Sequence, residues 1–266
     1  MAILGFIGIG NMGYAMMKGA LTEYRKEDLL FSSVDTARNV EVTEETGVAH
    51  VSSNVEVVRQ CKYIILAIKP QIYDIVLNEI KEVVTPDKVI ISIAPGITTD
   101  DVRNNLRSDS KIVRVMPNTS VLVNEGMSGL CFGSVELSEE EKDTVVRFFE
   151  SFGKCEVVDE ELMNAVVCVS GSSPAYVYMF IEALADGAVK YGIPRDKAYV
   201  FAAQTVLGAA KMVLETNEHP GRLKDNVCSP GGTTIAGVAA LEEYGFRNAI
   251  IKATDLCYQK TVEFKK

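Results

Sequence analysis

Short apolar runs that alternate with segments of helical spacing are the feature that most constrains the fold of this chain. Each run is rich in Ile and Val and is bounded by Gly, Pro or charged residues. The runs read ILGFIG, DLLFSSV, YIILAIK, VIISIAP and KIVRVM. Nearly continuous apolar strands are typical of a parallel sheet that is buried on both faces. Because helical segments such as residues 72–84 separate the runs, the pattern predicts a doubly wound, mostly parallel α/β domain.

The strand pattern ends near Glu160. Two last strand-like runs, GLCFG and CEVVD, enclose a helical segment in which Ser138 and Glu141 have the spacing of a capping box. Every later segment has helical periodicity, so the sequence predicts an α/β domain over residues 1–160 and an all-α domain over residues 161–266. The longest uncharged stretch, residues 165–181, is short for a membrane span and contains Ser-Gly-Ser-Ser-Pro. We interpret it as buried protein interior.

Composition excludes several classes of function. The net charge of −9 argues against a nucleic-acid or anionic-membrane surface as the main role. The six cysteines form no Cys-x-x-Cys pair and there are only two histidines, so no metal site is expected. The first residues lack the basic region of a signal peptide. Together with scattered, unpaired cysteines, these features predict a cytoplasmic protein.

The stretch FIGIGNMG contains the Gly-x-Gly-x-x-Gly pattern at a predicted strand–helix junction. Gly8 would allow the tight turn, Gly10 would let a pyrophosphate approach the backbone, and Gly13 would let the helix pack against the sheet. Taken alone the motif fits an ordinary glycine-rich turn, but its βαβ context favours a Rossmann domain that binds NAD(P). Asn11 and Met12, inside the motif, are included among the predicted cofactor contacts.

The end of the second strand bears on which dinucleotide is bound. Ser32 and Ser33 occupy the place where an acidic residue would hold a ribose 2′-hydroxyl, and Asp35 follows just beyond. Hydroxyls can donate to a 2′-phosphate that a carboxylate would repel. The prediction is therefore NADP(H), with NAD(H) left open by Asp35 and by the absence of an immediately adjacent Arg. Ordinary turn chemistry is the alternative explanation for the serines.

Other strand exits are candidate cofactor contacts because ligands of open parallel sheets lie outside the carboxyl ends of the strands. Lys69 is either a solvated loop residue or a proton donor. The predicted contacts at these exits and nearby are Asn54, Ala67, Ile68, Lys69, Pro70, Ile93 and Ala94. The stretch MPNT, residues 116–119, lies at a third such exit.

Five stretches together resemble the pyrroline-5-carboxylate reductase family, in order and over nearly the whole chain. They are FIGIGNMG, AIKP, MPNT, SGSSPAYVYMFIEALADGAVKYGIP and HPGRLKDNVCSPGGTTIAGVAALE. The resemblance implies hydride transfer from NAD(P)H to the C=N carbon of Δ1-pyrroline-5-carboxylate, giving L-proline. It also implies a helical C-terminal domain that interlocks two subunits, with decamers built from five dimers in some members. Ser173 replaces a glycine that is usual in the family, and it would be costly only where φ is positive.

The stretch SPGGTT starts a predicted helix, where backbone N–H groups of Gly232, Thr233 and Thr234 could bind a substrate carboxylate. On residues alone, an ordinary N-capped helix start is the simpler interpretation. The resemblance implies that Thr234 contacts the ring nitrogen and that Thr233 contributes an amide. It also assigns Asn226 a place near both cofactor and substrate, with supporting hydrogen bonds from Ser229 and Ser172.

Two other functions remain as alternatives. A β-hydroxyacid-type NADP-dependent dehydrogenase commonly has a Lys-x-x-Asn pair on a helix, and none is present here. A non-catalytic NADPH-sensing regulator would have no use for a second anion site such as SPGGTT. The segments AYVYMF and EALADGAVKYG are interpreted as packing in a helix interior or a subunit interface.

Overall fold

In the computed structural model, which describes residues 3–263, the N-terminal part forms one eight-stranded sheet. The strands are β1 (Leu4–Ile7), β2 (Leu29–Ser32), β3 (Ala49–His50), β4 (Tyr63–Leu66), β5 (Val89–Ser92), β6 (Lys111–Met116), β7 (Gly126–Phe132) and β8 (Gly153–Val157). Their order is β3-β2-β1-β4-β5-β6-β7-β8. β1 to β6 are mutually parallel, and β7 pairs antiparallel with β6 and parallel with β8. This confirms the predicted mostly parallel sheet, and its first six strands have the order of dinucleotide-binding folds.

Helices cover both faces of the sheet and also follow its last strand. They are α1 (Asn11–Ala20), α2 (Thr36–Thr46), α3 (Asn54–Gln60), α4 (Tyr73–Ile80), α5 (Thr99–Asn105), α6 (Glu139–Glu150), α7 (Met163–Val166), α8 (Pro174–Lys190), α9 (Arg195–Thr216), α10 (Pro220–Asn226), α11 (Thr233–Glu243) and α12 (Phe246–Glu263). A π-helical segment, Val167–Gly171, follows α7. The predicted capping box at Ser138 and Glu141 is present at the start of α6.

Burial of both sheet faces explains the continuous apolar runs. All residues of β1, β2, β4 and β5 are buried. On one face, Phe6 and Phe31 pack with α6 residues such as Phe148. On the other, Ile64 and Leu66 pack with residues of α3 and α4. The hydrophobic core therefore fixes the strand ends that the candidate site uses.

The described chain divides into two compact units. The first contains the sheet and runs to Ser172, and the end of α12 from Cys257 belongs to it. The second is the helical stretch Ser173–Leu256. Within it, α8 and α9 pack through the small buried residues Ala185, Ala198 and Ala202. Alanines let the two helix backbones approach closely.

Apolar side chains of the second unit are exposed in the single chain. Val177, Tyr178 and Met179 on α8 are 40%, 61% and 69% exposed. The interpretation of residues 165–181 as buried interior is therefore wrong for the single chain, because α8 buries only one side against α9. By length and hydropathy the stretch Glu160–Lys190 would also pass for a membrane-crossing helix, and little of it is buried. An apolar surface of this extent marks an interaction site.

Glu141 on α6 is a buried carboxylate that holds the helix to the sheet. Its side chain is 4% exposed and lies 2.8 Å from Lys111 Nζ and 3.1 Å from Lys62 Nζ. It also accepts a hydrogen bond from the backbone N–H of Ser138. Burial opposes ionisation, but these partners outweigh it and lower the pKa of Glu141 to about 2.

We expect Glu141→Gln to lower the free energy of unfolding at pH 7 by about 3 kcal/mol, which corresponds to a pKa shift of about 2 units. A carboxylate whose pKa falls on folding stabilises fully above its unfolded pKa of about 4.3 and loses that effect as the pH falls toward the folded value. The difference between wild type and variant should thus narrow as the pH drops from about 5 to about 3. Urea unfolding of wild type and variant at several pH values measures this difference in free energy.

Glu139→Gln is the matched control, because Glu139 begins the same helix but its side chain is 84% exposed and pairs only at the surface with Lys142. Glu139→Gln should lower the free energy of unfolding by less than about 1 kcal/mol at any pH. Equal losses in the two variants would show that the buried contacts of Glu141 do not stabilise the fold.

Candidate active site

The glycine turn between β1 and α1 leaves open space where a phosphate would lie. Gly8 has φ +94°, and a Cβ there would lie 2.5 Å from the carbonyl oxygen of Ala67. A Cβ on Gly13 would lie 2.5 Å from the carbonyl oxygen of Gly8. A Cβ on Gly10 would meet nothing within 4 Å. Gly8 and Gly13 thus allow tight packing, whereas Gly10 leaves the N-terminus of α1 accessible, as a bound pyrophosphate requires.

The predicted residues around this turn differ in what they expose. Asn11 is exposed in the first turn of α1, while Met12 is half-buried against the core. Ala67 and Ile68, after β4, lie beside Gly8. Lys69 is exposed and precedes the 3₁₀ turn that Pro70 begins. The structure therefore brings the exit of β4 next to the glycine turn.

The two predicted serines at the exit of β2 differ in their exposure. Ser32 is 2% exposed, and its hydroxyl donates to Asn54 Oδ1 at 2.7 Å. It was predicted to donate to a cofactor phosphate, but its side chain faces inward and is already bonded. Asn54 in turn donates to Glu79 at 2.7 Å, so this pair fixes β2 to α3. Ser33, the next residue, is half-buried and remains the available hydroxyl at this exit.

Asp35 uses one oxygen of its carboxylate within the protein. Its side chain caps α2 by accepting the backbone N–H of Arg38 at 3.0 Å. A carboxylate that caps a helix satisfies an otherwise unpaired N–H and is held in that role. The acidic residue that left NAD(H) open in the sequence thus has one oxygen engaged within the protein and remains exposed.

Tyr73 joins the exits of β4 and β5 and was not singled out from the sequence. Its buried hydroxyl donates to the carbonyl oxygen of Leu66 at 3.1 Å and lies 3.0 Å from Ser92 Oγ. Burial raises the pKa of Tyr73 to about 12, so the phenol stays protonated. The side chains of Ile93 and Ala94, the predicted contacts after β5, are buried. Only their backbone could therefore meet a cofactor. A tyrosine at an apolar helix position was the available signal, since its polar tip needs a partner.

Asn118 links the exit of β6 to the π-helical segment. Its side-chain nitrogen donates to the carbonyl oxygen of Ser170 at 3.1 Å. Its oxygen accepts the backbone N–H groups of Ser120 and Met127, each at 3.2 Å. π-Helical turns are frequent at functional sites. The stretch MPNT is therefore fixed at three points.

Ser172 and Ser173 lie just after the π-helical segment. Ser172 Oγ accepts from Cys257 Sγ at 3.2 Å. Ser173, which replaces the usual glycine, has φ −68° and ψ −15°. This is ordinary right-handed helical geometry, so the replacement carries no backbone strain.

The SPGGTT loop forms the start of α11 in the second unit. Gly231 has φ +68°, and Gly232 is the N-cap in extended geometry with no side-chain capping bond. The N–H of Gly232 donates to the carbonyl oxygen of Ser229 at 2.9 Å. Gly232 was predicted to offer this N–H to the substrate, whereas in this structure the turn uses it. Thr233 and Thr234 occupy the first helical turn, whose N–H groups have no partner within the helix.

The remaining predicted residues of this unit lie near the loop in sequence. Asn226 is exposed at the last position of α10, and Ser229 is exposed within the loop. Thr233 and Thr234 are also exposed in the single chain. The loop therefore presents an uncapped helix start and two hydroxyls to whatever lies outside it.

The two histidines have structural roles. His50 Nδ1 lies 2.8 Å from the hydroxyl of Thr43. His219 caps α10 by accepting the N–H of Gly221 at 3.0 Å. The prediction that His219 belongs to a helix-linking turn is confirmed.

Burial keeps at least two of the six cysteines protonated. All six are free thiols. Burial raises the pKa of Cys61 to about 12 and that of Cys168 to about 11, so both stay protonated at neutral pH. Within residues 3–263, no cluster of three His, Cys, Asp or Glu side chains could hold a metal ion.

Two protein-family models match the chain. Residues 160–264 match pyrroline-5-carboxylate reductase dimerisation, and residues 3–96 match the coenzyme F420-dependent NADP oxidoreductase model. The first match means that the helical part is of a kind that forms oligomers. The second supports a nicotinamide dinucleotide as the cofactor of the sheet domain.

Curated and solved proteins match over the full length. The chain is 45% identical to pyrroline-5-carboxylate reductase of Escherichia coli over 99% of this chain and 98% of that one. It is 42% identical to the Methanosarcina acetivorans enzyme of the same name, over 95% of each chain. A pyrroline-5-carboxylate reductase structure from Coxiella burnetii superposes with a TM-score of 0.93 at 30% identity, covering 100% and 99% of the two chains. One from Plasmodium falciparum, with NADP bound, gives 0.86 at 34% identity and covers 100% and 98%.

Proposed function

Because the chain belongs to the pyrroline-5-carboxylate reductase family, we propose that it reduces Δ1-pyrroline-5-carboxylate to L-proline, the last step of proline biosynthesis. The uncapped start of α11 at SPGGTT is the structural feature that best supports this reaction. A helix N-terminus with free N–H groups favours an anion, and the substrate carries one carboxylate.

Bound NAD(P)H supplies the hydride that the C=N carbon accepts. The protein binds the substrate carboxylate through the backbone N–H groups of Thr233 and Thr234, and the Thr234 hydroxyl contacts the ring nitrogen. A protonated imine is already electrophilic, so the chain needs to hold and orient it more than to protonate it. This agrees with a chain whose two histidines are committed to structural hydrogen bonds.

NADP(H) is the proposed preferred cofactor, with NAD(H) as a weaker alternative. One oxygen of the Asp35 carboxylate caps α2, and Ser33 offers a hydroxyl at the exit of β2. The Ser33 hydroxyl can donate to a 2′-phosphate, whereas the Asp35 carboxylate keeps NAD(H) open. The other proposed contacts are the glycine turn with Asn11 and Met12, the exits at residues 67–70 and 93–94, and Asn226.

The proposed organisation is a dinucleotide-binding domain over residues 1–160 and a helical substrate-binding and dimerisation domain over residues 161–266. Exposed apolar residues of α8, such as Met179, support a homodimer formed through the helical part. Five such dimers could join into a decamer. The proposed location is the cytoplasm.

The test is oxidation of NADPH or NADH by purified protein in the presence of pyrroline-5-carboxylate. Thr234→Ala should lower kcat/KM about 10- to 100-fold, the range expected for losing a hydrogen bond to a charged group. Thr205→Ala is the control, because the Thr205 hydroxyl bonds only within α9, to the carbonyl oxygen of Phe201. It should leave kcat/KM unchanged.

Folded protein that binds NADPH but oxidises neither cofactor would sink the reductase assignment and favour a sensing role. Full kcat/KM in Thr234→Ala would remove the role given to that residue while leaving the reaction intact.

A further inference from the structure

Arg38 occupies a position from which it can reach a ribose 2′-substituent. It lies in the first turn of α2, directly after β2, whose carboxyl end faces the adenosine ribose in this fold. The capping bond from its N–H to Asp35 fixes that turn. Its side chain is 32% exposed, so the guanidinium is neither buried nor fully solvated.

The guanidinium is held against α1 by an aromatic ring. Its central carbon lies 4.7 Å from the centroid of the Tyr14 ring. Tyr14 is itself fixed, because its hydroxyl donates to Glu45, which also accepts Lys18 Nζ at 2.9 Å. Tyr14 follows the glycine turn by one residue. An arginine stacked in this way is oriented before the ligand arrives, and its planar fork matches phosphate geometry.

Arg38 lies among groups of both signs of charge. Ser33 offers a hydroxyl at the same strand exit, and the N-terminus of α2 favours negative charge. Three carboxylates lie close, those of Asp35, Glu41 and Glu45. Glu41 binds Arg38 Nη1 at 2.8 Å. The Glu41 side chain is 64% exposed, and a surface ion pair of this kind contributes about 1 kcal/mol or less. A phosphate dianion can therefore displace it from Arg38.

We propose that Arg38 is a specificity-determining residue that binds the 2′-phosphate of NADP(H), with the stacked Tyr14 ring as its support. The inference rests on the proposed function only in that the ligand is a nicotinamide dinucleotide. Sequence spacing did not reveal it, because Arg38 stands five positions beyond Ser33. In the fold it lies in the first turn of α2, the helix that follows this strand exit.

The experiment measures binding of 2′,5′-ADP and of 5′-AMP to the full chain by isothermal titration calorimetry. Wild type should bind 2′,5′-ADP more tightly than 5′-AMP. Arg38→Gln should weaken 2′,5′-ADP about 10-fold, the scale of one charge-assisted hydrogen bond, and change 5′-AMP less than about twofold. Arg38→Lys keeps the positive charge but lacks the planar guanidinium. It should therefore lose less affinity for 2′,5′-ADP than Arg38→Gln. In turnover, KM should rise for NADPH and not for NADH.

Arg107→Gln is the matched control, since Arg107 is also a surface arginine paired with a carboxylate, Asp109. It should change neither affinity. Equal weakening of both nucleotides by Arg38→Gln, no weakening of either, or a wild type without preference would each overturn the proposal. Because this readout contains no pyrroline substrate, it is independent of whether the reductase assignment succeeds.

Discussion

Gly10→Ala is expected to weaken NADPH binding about 100-fold, the scale of loss for a misplacement of about 1 Å. The free energy of unfolding should stay within about 1 kcal/mol of wild type, since alanine is only a poorer N-cap than glycine. A methyl group on Gly10 meets no protein atom, so its only effect is to fill the space over the α1 N-terminus. Fluorescence titration with NADPH and urea unfolding measure the two quantities.

Gly8→Ala is the comparison variant, and its main effect should be on the free energy of unfolding rather than on NADPH binding. Its φ of +94° and the 2.5 Å approach to the Ala67 carbonyl oxygen force strain on any side chain. The free energy of unfolding should fall by about 3 kcal/mol, from backbone strain together with overpacking. Wild-type NADPH affinity in Gly10→Ala, or wild-type stability in Gly8→Ala, would contradict the roles given to these glycines.

Met179→Glu on α8 should convert the assembled protein to monomers. Burying a methionine side chain contributes about 2 kcal/mol, and a twofold-symmetric interface contains each residue twice. An unpaired carboxylate adds a desolvation cost. The dissociation constant should therefore rise at least about 1,000-fold. Light scattering after size-exclusion chromatography measures the mass.

Ile75→Glu is a closely matched control, because Ile75 on α4 is also 69% exposed and apolar but belongs to the sheet unit. It should leave the mass unchanged. An unchanged mass for Met179→Glu would show that this face of α8 is not the one that assembles.

Features with a local cause could be predicted from the sequence. The strand runs, the Gly8–Gly13 turn and the Ser138 capping box each depend on neighbouring residues, and the structure contains them all. The order of elements followed from their alternation.

Features that depend on partners distant in the sequence could not be predicted from it. The inward direction of Ser32 is set by Asn54, 22 positions away, and the role of Tyr73 by Ser92, 19 positions away. The misassigned interior at residues 165–181 has another cause. Hydropathy records that a segment avoids water, but not whether its own chain or another copy covers it.

The starts of α1 and α11 share one property. Each begins at a glycine in extended geometry, Gly10 and Gly232, without a side-chain capping bond, whereas α2, α3, α5 and α6 carry Asp, Ser, Thr and Ser caps. A serine or aspartate at either glycine would stabilise its helix by a few tenths of a kcal/mol. Its oxygen would also occupy the space an anion needs. A search for stabilising substitutions that scored only the fold would therefore select serine or aspartate at both positions, and would select against activity in doing so.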